Sequence, residues 1–347
     1  MKIGMYYNNR DVRVEEMLKP DIGDKDILVK VMACGICGSD IMEWYRIKRA
    51  PLVLGHELAG KVVEVGKDVK KYKVGDRIVS THHVPCGECY YCLTNHETAC
   101  ETFHTKNNFH PGGFAEYLKI SGKSLDTGTF ILPDEMSYEQ GTFVEPLGTV
   151  VRGLRMIDLH PGNSVLILGC GIAGLLNVKL AKALGAGRII ATDVSDYRLE
   201  SANKFGAEYV FNATVDINKL SANIKKINNG KLVDKVVLCT GVLPAVEQAL
   251  QSVDKGGTIL FFAVPKPGET VAMDFNSYWR NDINFKTSYG AAPLDNMQAL
   301  ELIRAGNVQV MDMITHRLNL DEIGEGFKIA SEGKQCLKVV IIPNKNE

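Results

Sequence analysis

A segment spanning residues 164–193 constrains the fold more than any other part of this sequence. Val165–Leu168 is a continuous apolar run, as expected of a strand buried on both faces. Gly169, Gly171 and Gly174 follow at G-x-G-x-x-G spacing. Apolar residues then recur at helical spacing, and a second apolar run ends in an aspartate. The order predicts a strand, a tight turn, a helix and a second parallel strand.

The same residues predict a ligand. Glycines permit a tight turn and close backbone approach, and a helix N-terminus offers free N–H groups to a pyrophosphate. Asp193, at the tip of the second strand, can accept both ribose hydroxyls and repels a 2′-phosphate. We therefore expect NAD rather than NADP. The residues predicted to hold it are Gly169, Gly171, Ile172, Ala173, Gly174 and Asp193.

Length and charge narrow the class of protein further. A chain of 347 residues suits two domains, and a net charge of −1 gives no reason to expect nucleic acid or an anionic membrane as a partner. No apolar run reaches the roughly 18 residues of a membrane span, and the N-terminus lacks the apolar region of a signal peptide. We expect a cytoplasmic protein without a membrane partner.

The rest of the chain divides into a β-rich part and an α/β part. Ile27–Ala33 alternates as a strand does, and 52–80 is β-rich and broken by glycines, which favours a partly open antiparallel barrel. After the opening segment, helices and strands alternate as in a doubly wound parallel sheet, and the last elements do not extend that pattern. The predicted elements are helices at 199–205, 217–227, 244–253 and 297–305, and strands at 209–212, 233–239, 258–264, 285–289, 314–318 and 338–342.

Four cysteines in one loop predict a metal site. Cys86, Cys89, Cys92 and Cys100 have the spacing C-x2-C-x2-C-x7-C, and four thiolates satisfy the closed tetrahedral coordination of structural zinc. A redox pair, unused thiols and a four-iron cluster are the alternatives. Four other cysteines lie singly in apolar surroundings, and we expect them to be buried small hydrophobes: Cys34, Cys170, Cys239 and Cys336.

A second metal site cannot be derived from spacing. Cys37, His56, Glu57 and Glu145 are far apart in the sequence, and each has an ordinary structural interpretation. A lone cysteine is usually part of a core, a histidine before a glutamate is often a turn residue, and an acid before proline is often a helix cap. The residues alone therefore leave this site open.

A family resemblance addresses that question. The chain resembles the zinc-dependent medium-chain dehydrogenases, and within them the polyol, sorbitol-like branch, over nearly its whole length. The motifs that carry the resemblance are Gly35-Ile36-Cys37-Gly38-Ser39-Asp40, Gly55-His56-Glu57, the four-cysteine loop, Gly112–Tyr117, Glu145-Pro146-Leu147 and the glycine fingerprint with Asp193. The resemblance implies a GroES-like catalytic domain (1–150 and 290–347), a Rossmann domain (151–289), and a catalytic zinc in the cleft between them.

The resemblance also implies roles for single residues. Cys37, His56 and Glu145 match catalytic zinc ligands, and Glu57 matches an acid that alternates with water or substrate as the fourth ligand. Ser39 matches the hydroxyl that relays the substrate proton, although it could also cap a helix. A zinc with an open position lowers the pKa of a substrate alcohol, and carboxylate ligands suit a chelating vicinal diol.

On the cofactor side the resemblance adds a few further residues. Thr149, Arg198, Thr240 and Val264 are predicted to contact NAD, and a solvated helix charge is the alternative for Arg198. The predicted substrate contacts are Ser39, Glu43, Phe103, Glu145 and Tyr289.

The sequence departs from its relatives at two places. Met42 stands where some relatives carry a histidine that passes the proton outward, so Glu43, Glu57 or a water would have to substitute. Tyr289-Gly290 stands where sorbitol dehydrogenases carry an aromatic residue followed by an arginine, which argues against sorbitol itself.

These observations predict an enzyme with two zinc ions and NAD that transfers hydride between a secondary alcohol of a polyol and the nicotinamide. An amino-alcohol (threonine-type) or cyclitol dehydrogenase is the alternative within the family, and an NAD-binding regulator is the alternative outside enzymes. A phosphorylated polyol is less attractive, because no cluster of basic residues can be assigned to the pocket. Relatives are dimers or tetramers, so we expect a homo-oligomer. The sequence does not identify the polyol or the carbon that is oxidised.

Overall fold

The chain divides into two compact units in the computed structural model, which describes residues 1–215 and 219–344. The first unit joins Met1–Gly148 to the chain from Gly290 onward, and the second is Thr149–Tyr289. The sequence-based boundaries lie two residues further along at the first junction. Among the described residues, no helix is both long enough and apolar enough to cross a bilayer.

The strands of the described chain vary from two to nine residues in length. In chain order they are β1 (Lys2–Asn8), β2 (Asp11–Glu16), β3 (Ile27–Gly35), β4 (Leu52–Val53), β5 (Glu57–Val65), β6 (Arg77–Ser80), β7 (Phe109–His110), β8 (Tyr117–Ile120), β9 (Thr129–Ile131), β10 (Ser164–Leu168), β11 (Arg188–Asp193), β12 (Tyr209–Asn212), β13 (Val233–Leu238), β14 (Val253–Phe261), β15 (Asn284–Thr287), β16 (Ile314–Asn319) and β17 (Lys338–Ile342).

The first five α-helices have four or five residues each, and those from α6 onward have six to thirteen. They are α1 (Glu43–Arg46), α2 (Tyr90–Leu93), α3 (Glu101–Thr105), α4 (Gly122–Asp126), α5 (Tyr138–Gly141), α6 (Val144–Met156), α7 (Ile172–Ala183), α8 (Asp196–Phe205), α9 (Leu220–Ile227), α10 (Leu243–Ser252), α11 (Phe275–Arg280), α12 (Pro293–Arg304) and α13 (Ile323–Glu332). Single 3₁₀ turns occur at Ile47–Arg49, Glu97–Ala99, Met311–Met313 and Leu320–Glu322.

The first unit is built on an eight-stranded, largely antiparallel sheet. Its main path runs β16-β17-β3-β5-β6-β9, and β8 pairs with both β3 and β7. Because β3 is flanked by β17, β5 and β8, eight of its nine residues are buried, so it is not the half-exposed strand that simple alternation implies. Tyr6, Phe114 and Phe327 meet in the core with ring centroids 5.7–5.8 Å apart. This arrangement confirms the predicted partly open β-barrel.

The second unit contains the predicted doubly wound sheet. Six parallel strands lie in the order β12-β11-β10-β13-β14-β15, so the order reverses next to β10. β10 is completely buried because helices cover both faces of such a sheet. The predicted strand over 258–264 is displaced, since β14 begins at Val253 and ends at Phe261. The helix predicted over 217–227 is found from Leu220, and Ile217 lies outside the described residues.

The cysteines predicted to act as hydrophobes are mostly buried. Cys34, Cys170 and Cys336 are buried, while Cys239 is only partly so. Burial raises the pKa of the thiols of Cys34, Cys170 and Cys239, which keeps them protonated and unreactive. All nine cysteines are free thiols.

Candidate active site

The four-cysteine loop gathers its thiols around one point. The Sγ atoms of Cys86, Cys89, Cys92 and Cys100 all lie within 4.8 Å of one another. The Cys86–Cys92 and Cys89–Cys92 Sγ separations are 3.8 and 3.5 Å, close to the ~3.8 Å edge of a tetrahedron with zinc–sulfur bonds of about 2.3 Å. The donor set therefore fits a closed zinc site.

Backbone amides hold these sulfurs in place. The N–H groups of Cys86, Gly87 and Cys89 donate to Sγ atoms of Cys100, Cys92 and Cys86 at 3.3–3.4 Å. Burial opposes ionisation of Cys100, but amide hydrogen bonds from Cys86 and Phe103 outweigh it and lower the pKa of this thiol to about 6. Burial raises the pKa of Cys92 to about 12. A bound cation would displace the remaining protons.

A second cluster joins residues that are distant in sequence. Donor atoms of Cys37, His56 and Glu57 lie within 4.8 Å of one another. Cys37 follows the end of β3, and Glu57 begins β5, where it pairs with Gly35. Antiparallel pairing of β3 with β5 therefore brings the two motifs together. This pairing is the tertiary information that spacing could not supply.

Glu57 is held by a lysine that sequence reasoning missed. Lys338, the first residue of β17, donates from Nζ to Glu57 Oε2 and to the carbonyl oxygen of Ile36, the latter at 3.1 Å. Both side chains are fully buried. Burial alone would lower the pKa of Lys338, but Glu57 and neighbouring anions outweigh it and raise the pKa, so Lys338 is charged. Glu57 Oε1 is buried without a hydrogen-bond partner among the described residues, and a metal ion would satisfy it.

Gly35 makes room for this ion pair. A Cβ atom at this position would lie 2.3 Å from Glu57 Oε2 and 2.7 Å from the Lys338 side chain. Even alanine would therefore displace the pair. Close packing against Glu57 and Lys338 therefore explains the first glycine of the Gly35–Asp40 motif.

His56 is oriented by a buried aspartate, also absent from the predicted site. Asp40 Oδ1 lies 3.5 Å from His56 Nδ1, and Asp40 Oδ2 accepts from the Cys37 amide at 3.1 Å. Burial disfavours the imidazolium, but Asp40 and Cys37 outweigh it and raise the pKa of His56 well above its usual range. A carboxylate behind a histidine fixes the ring orientation when the other nitrogen binds a metal.

Ser39 lies beside Cys37 but does not cap a helix, because α1 begins only at Glu43 after Met42. Its Oγ donates to Cys37 Sγ at 3.4 Å and accepts from Arg46 Nη2 at 2.9 Å. Arg46 also donates to the Ser39 carbonyl at 2.9 Å. A guanidinium only donates, so the single Ser39 proton is directed toward the cluster.

Glu145 lies outside the 4.8 Å group but next to it. It occupies the first turn of α6. Its pKa is raised to about 7, chiefly by burial, with His56 lowering it and Glu57 raising it, which places the three side chains within electrostatic reach of one another. A carboxyl with a raised pKa must lose its proton when it binds a metal ion, and a bound cation would favour that loss.

The predicted substrate residues are not all gathered at this cluster. Glu43 is exposed, and its carboxylate accepts from the Asn9 amide at 3.1 Å. Phe103 is 1% exposed and stacks on His83 at 5.4 Å. Gly290 packs on Phe103, since a Cβ there would approach the ring to 2.7 Å.

Two histidines near the cluster were missed by sequence reasoning. The ring of His82 lies 5.0 Å from that of His56 and 3.7 Å from that of His83. Burial lowers the pKa of both, that of His83 to about 4, so they are neutral imidazoles. The adjacent histidines His82 and His83, four and three residues before Cys86, were the sequence feature that could have indicated them.

In the second unit, the glycine turn joins β10 to α7. Gly169 has φ +93°, and a Cβ on Gly174 would lie 1.9 Å from the Gly169 carbonyl oxygen, so both positions require glycine. Asp193 ends β11 and accepts from the Cys170 amide at 2.7 Å and from the Ser195 amide at 2.9 Å. Each carboxylate oxygen retains a further acceptor site.

The other predicted cofactor residues follow the same edge of the sheet. Thr240 follows β13 and lies against Gly169, Val264 lies three residues after β14 and is exposed, and Arg198 lies in α8, which follows β11. Ligands of open parallel sheets bind beyond the carboxyl ends of strands, where the strand order reverses. Thr149 lies in α6, and Tyr289, at the end of the second unit, is half exposed.

Comparison with known proteins identifies both units. The profile described as "Alcohol dehydrogenase GroES-like domain" matches residues 23–126, and that described as "Zinc-binding dehydrogenase" matches residues 173–305.

Individual relatives span the whole chain. The chain is 32% identical to sorbitol dehydrogenase of Bacillus subtilis (99% of this chain, 98% of the relative) and 33% identical to L-threonine 3-dehydrogenase of Bacillus licheniformis (93% of each). The crystal structure of 2R,3R-butanediol dehydrogenase from Bacillus subtilis superposes with a TM-score of 0.86 at 30% identity, covering 99% of both chains.

Proposed function

The chain belongs to the zinc-dependent medium-chain dehydrogenase family, in its polyol branch, and from that premise we propose that it oxidises a secondary alcohol of a polyol with NAD, or catalyses the reverse reduction. The observation that carries the proposal is the convergence of Cys37, His56 and Glu57 within 4.8 Å. Three of the family's metal-site residues meet there although they come from two separate motifs.

We propose two zinc ions per chain. The four thiols of the loop would hold one, and Cys37, His56 and Glu145 would hold the other, with Glu57 as an alternating ligand. When bound, the second zinc supplies a Lewis acid that lowers the pKa of the substrate hydroxyl, and NAD supplies the hydride acceptor.

The residues around the cluster hold and direct protons. Asp40 keeps His56 in the orientation that leaves Nε2 for a metal, and Lys338 holds Glu57 by a buried ion pair. Ser39, fixed by Arg46, presents its hydroxyl on the cluster side, where it can exchange a proton with a substrate hydroxyl. Arg46 has no acceptor and Met42 cannot carry a proton, so the released proton would leave by Glu57 or water.

We propose NAD rather than NADP because of Asp193. Its buried carboxylate, held by two backbone amides, would accept the ribose hydroxyls and repel a 2′-phosphate. Asp193→Asn keeps the size of the side chain and one acceptor oxygen, and it removes the charge, but its NH₂ group cannot accept from the second backbone amide. We expect it to lower the NAD preference, measured as the ratio of kcat/KM for the two cofactors, by about tenfold. An unchanged ratio would contradict this role.

The substrate class is tested by assaying a panel of alcohols. Vicinal diols, sugar alcohols, a cyclitol, L-threonine and a primary alcohol would each be assayed with NAD and NADP, on protein whose zinc content has been measured. We expect about two zincs per chain and the highest kcat/KM on a polyol. Highest activity on a primary alcohol, or fewer than two zincs at full activity, would overturn the proposal.

An amino-alcohol substrate is the second candidate, because a threonine dehydrogenase is as similar to this chain as a sorbitol dehydrogenase is. Both activities would use the same metal and cofactor residues. Highest activity on L-threonine in the panel would favour this alternative.

A further inference from the structure

Asn296 is a buried amide whose hydrogen-bonding capacity is unused within the described chain. It lies in the first turn of α12, is 1% exposed, and neither Oδ1 nor Nδ2 has a hydrogen-bond partner there. Leaving a buried polar group unpaired costs about 1–3 kcal/mol. A partner that is not one of the described protein atoms would therefore stabilise Asn296 in this position.

A small cavity beside Asn296 has the size and lining for such a partner. Its volume is about 10 Å³, which is close to the space that one water requires. Its polar lining residues are Ser80, Thr81, Glu145 and Asn296. Ser80 is hydrogen-bonded to Thr129 at 2.8 Å, and Thr81 Oγ1 donates to the His83 carbonyl oxygen at 3.5 Å. Asn296 is therefore the lining side chain without a partner among the described residues, and Glu145 adds a carboxylate to the same lining.

Packing fixes Asn296 against the helix that carries Glu145. A Cβ on Gly148 would lie 2.1 Å from Asn296 Oδ1. Gly148 is one turn after Glu145 in α6, so the two residues share a helix face. The amide therefore lies beside the turn that presents Glu145 to the metal cluster.

We propose that one ordered water in this cavity joins the Asn296 amide to the Glu145 carboxylate, which makes Asn296 a positioning residue for the catalytic zinc site. The water would accept from Nδ2 and donate to a carboxylate oxygen, which leaves the other oxygen for the metal. The inference rests on the proposed function, because it takes Glu145 as a zinc ligand. Loss of such a supporting hydrogen bond typically weakens metal binding 10–100-fold.

The test measures zinc affinity rather than activity. Zinc is titrated by chelator competition into Asn296→Leu, which has similar size without polar atoms, and into Glu145→Gln and the parent protein. We expect Glu145→Gln to weaken binding at the catalytic site most and Asn296→Leu to weaken it about tenfold. Affinity of the four-cysteine loop should stay unchanged in both variants, which excludes general unfolding.

A second variant perturbs the same contact from the other side. Gly148→Ala would force the Asn296 amide away from its position, and we expect weaker zinc binding at the same site. A crystal structure of the zinc-loaded parent protein should contain a water within hydrogen-bonding distance of Asn296 and Glu145, and the Asn296→Leu structure should lack it.

The outcomes separate this inference from the proposed function. Parent-like zinc affinity in Asn296→Leu, with weakened binding in Glu145→Gln, would overturn the role of Asn296 and leave the proposed function standing. Parent-like affinity in both variants would overturn the proposed ligand set and the inference with it. Inactivity on every alcohol with intact zinc binding would overturn only the proposed function.

Discussion

The two cysteine-containing clusters of the first unit are built in opposite ways. The four-cysteine loop draws its donors from 15 consecutive residues, lies partly exposed, and is organised by its own backbone amides. The cluster of Cys37, His56 and Glu57 draws on β3 and β5, and buried charges on Asp40 and Lys338 surround it. One site depends on local chain geometry, and the other depends on the packing of the sheet.

This difference matches the two proposed roles. A closed set of four thiolates leaves no position for a substrate and can only stabilise the loop. A mixed set with an unpaired carboxylate oxygen and a neighbouring serine hydroxyl leaves both a coordination position and a proton partner. The two clusters should therefore respond differently to the same chemical change.

The largest difference is expected from removing one thiol at each cluster. Cys37→Ala should lower kcat/KM about a thousandfold or more, because the lost metal supplies several kcal/mol of transition-state stabilisation. It should also remove one zinc per chain and leave the loop zinc in place. Cys239→Ala, outside both clusters, is the control. Full activity of Cys37→Ala would remove the basis for calling the cluster an active site.

Breaking the buried ion pair should reveal how much the second cluster depends on packing. Lys338→Met leaves Glu57 charged and fully buried without its partner, and we expect a loss of about 3–5 kcal/mol in the free energy of unfolding of the metal-free protein. Denaturant titration measures this loss.

The matched control is an exposed pair. Lys67 lies 2.9 Å from Asp24 with both side chains more than half exposed, so Lys67→Met should cost no more than about 1 kcal/mol. Combining Lys338→Met with Glu57→Gln should recover part of the stability. Equal losses for Lys338→Met and Lys67→Met would refute the importance of the buried pair.

A thiol of the loop should matter for stability and little for chemistry. Cys92→Ala should release the loop zinc and destabilise the protein by about 3 kcal/mol, the value expected for a cross-link closing about 15 residues. Activity per folded, zinc-loaded molecule should remain near that of the parent. Thermal unfolding and zinc analysis measure the two effects, and a collapse of activity in fully folded protein would contradict the assignment.

A pH dependence is also expected at the second cluster. Glu145, with its pKa raised to about 7, and His56, also raised, must lose protons before they bind zinc. Zinc affinity should therefore rise with pH, about tenfold per unit for each proton released, up to about pH 7 for Glu145. Competition titrations from pH 5.5 to 8 measure this, and a flat profile would contradict it.

Stability without metal should change in the opposite direction. The pKa of Glu145 in the folded, metal-free protein exceeds the 4.5 of a free side chain, so the folded state binds more protons between those values. The contribution of Glu145 to stability is present below pH about 4.5 and is lost as pH rises through about 7. Glu145→Gln should remove this dependence.

Sites formed by residues close together in the sequence could be predicted from the sequence. The buried residues that support the second cluster from distant parts of the chain could not. The spacing of the four cysteines and of the three glycines identifies each motif, because neighbouring residues in the chain bind one ligand. The strands Tyr209–Asn212 and Lys338–Ile342 were predicted with the observed bounds, since each is a compact apolar run. Strand β14 was misplaced because its first residues are polar and glycine-rich.

Asp40, Lys338 and Asn296 could not be found by pattern. Asp40 belongs to the Gly35–Asp40 motif, but the sequence does not indicate which residue it contacts. Lys338 resembles an ordinary surface lysine at the start of a strand. Only the pairing of β17 and β5 with β3 shows that Lys338 neutralises Glu57. Asn296 lies in a polar helix start where asparagine is ordinary. Burial distinguishes all three, and burial is a property of the fold.

The position of β17 also determines when the second cluster can mature during synthesis. The second unit is one continuous stretch of chain, whereas β17 is made only after that stretch has been translated. A ribosome-bound chain that has emerged as far as Tyr289 already contains the four-cysteine loop and all six strands of the parallel sheet of the second unit. It still lacks Lys338, the cation that pairs with Glu57, so the loop can capture metal during translation, whereas the Cys37 cluster acquires its native charge balance only after β17 has emerged.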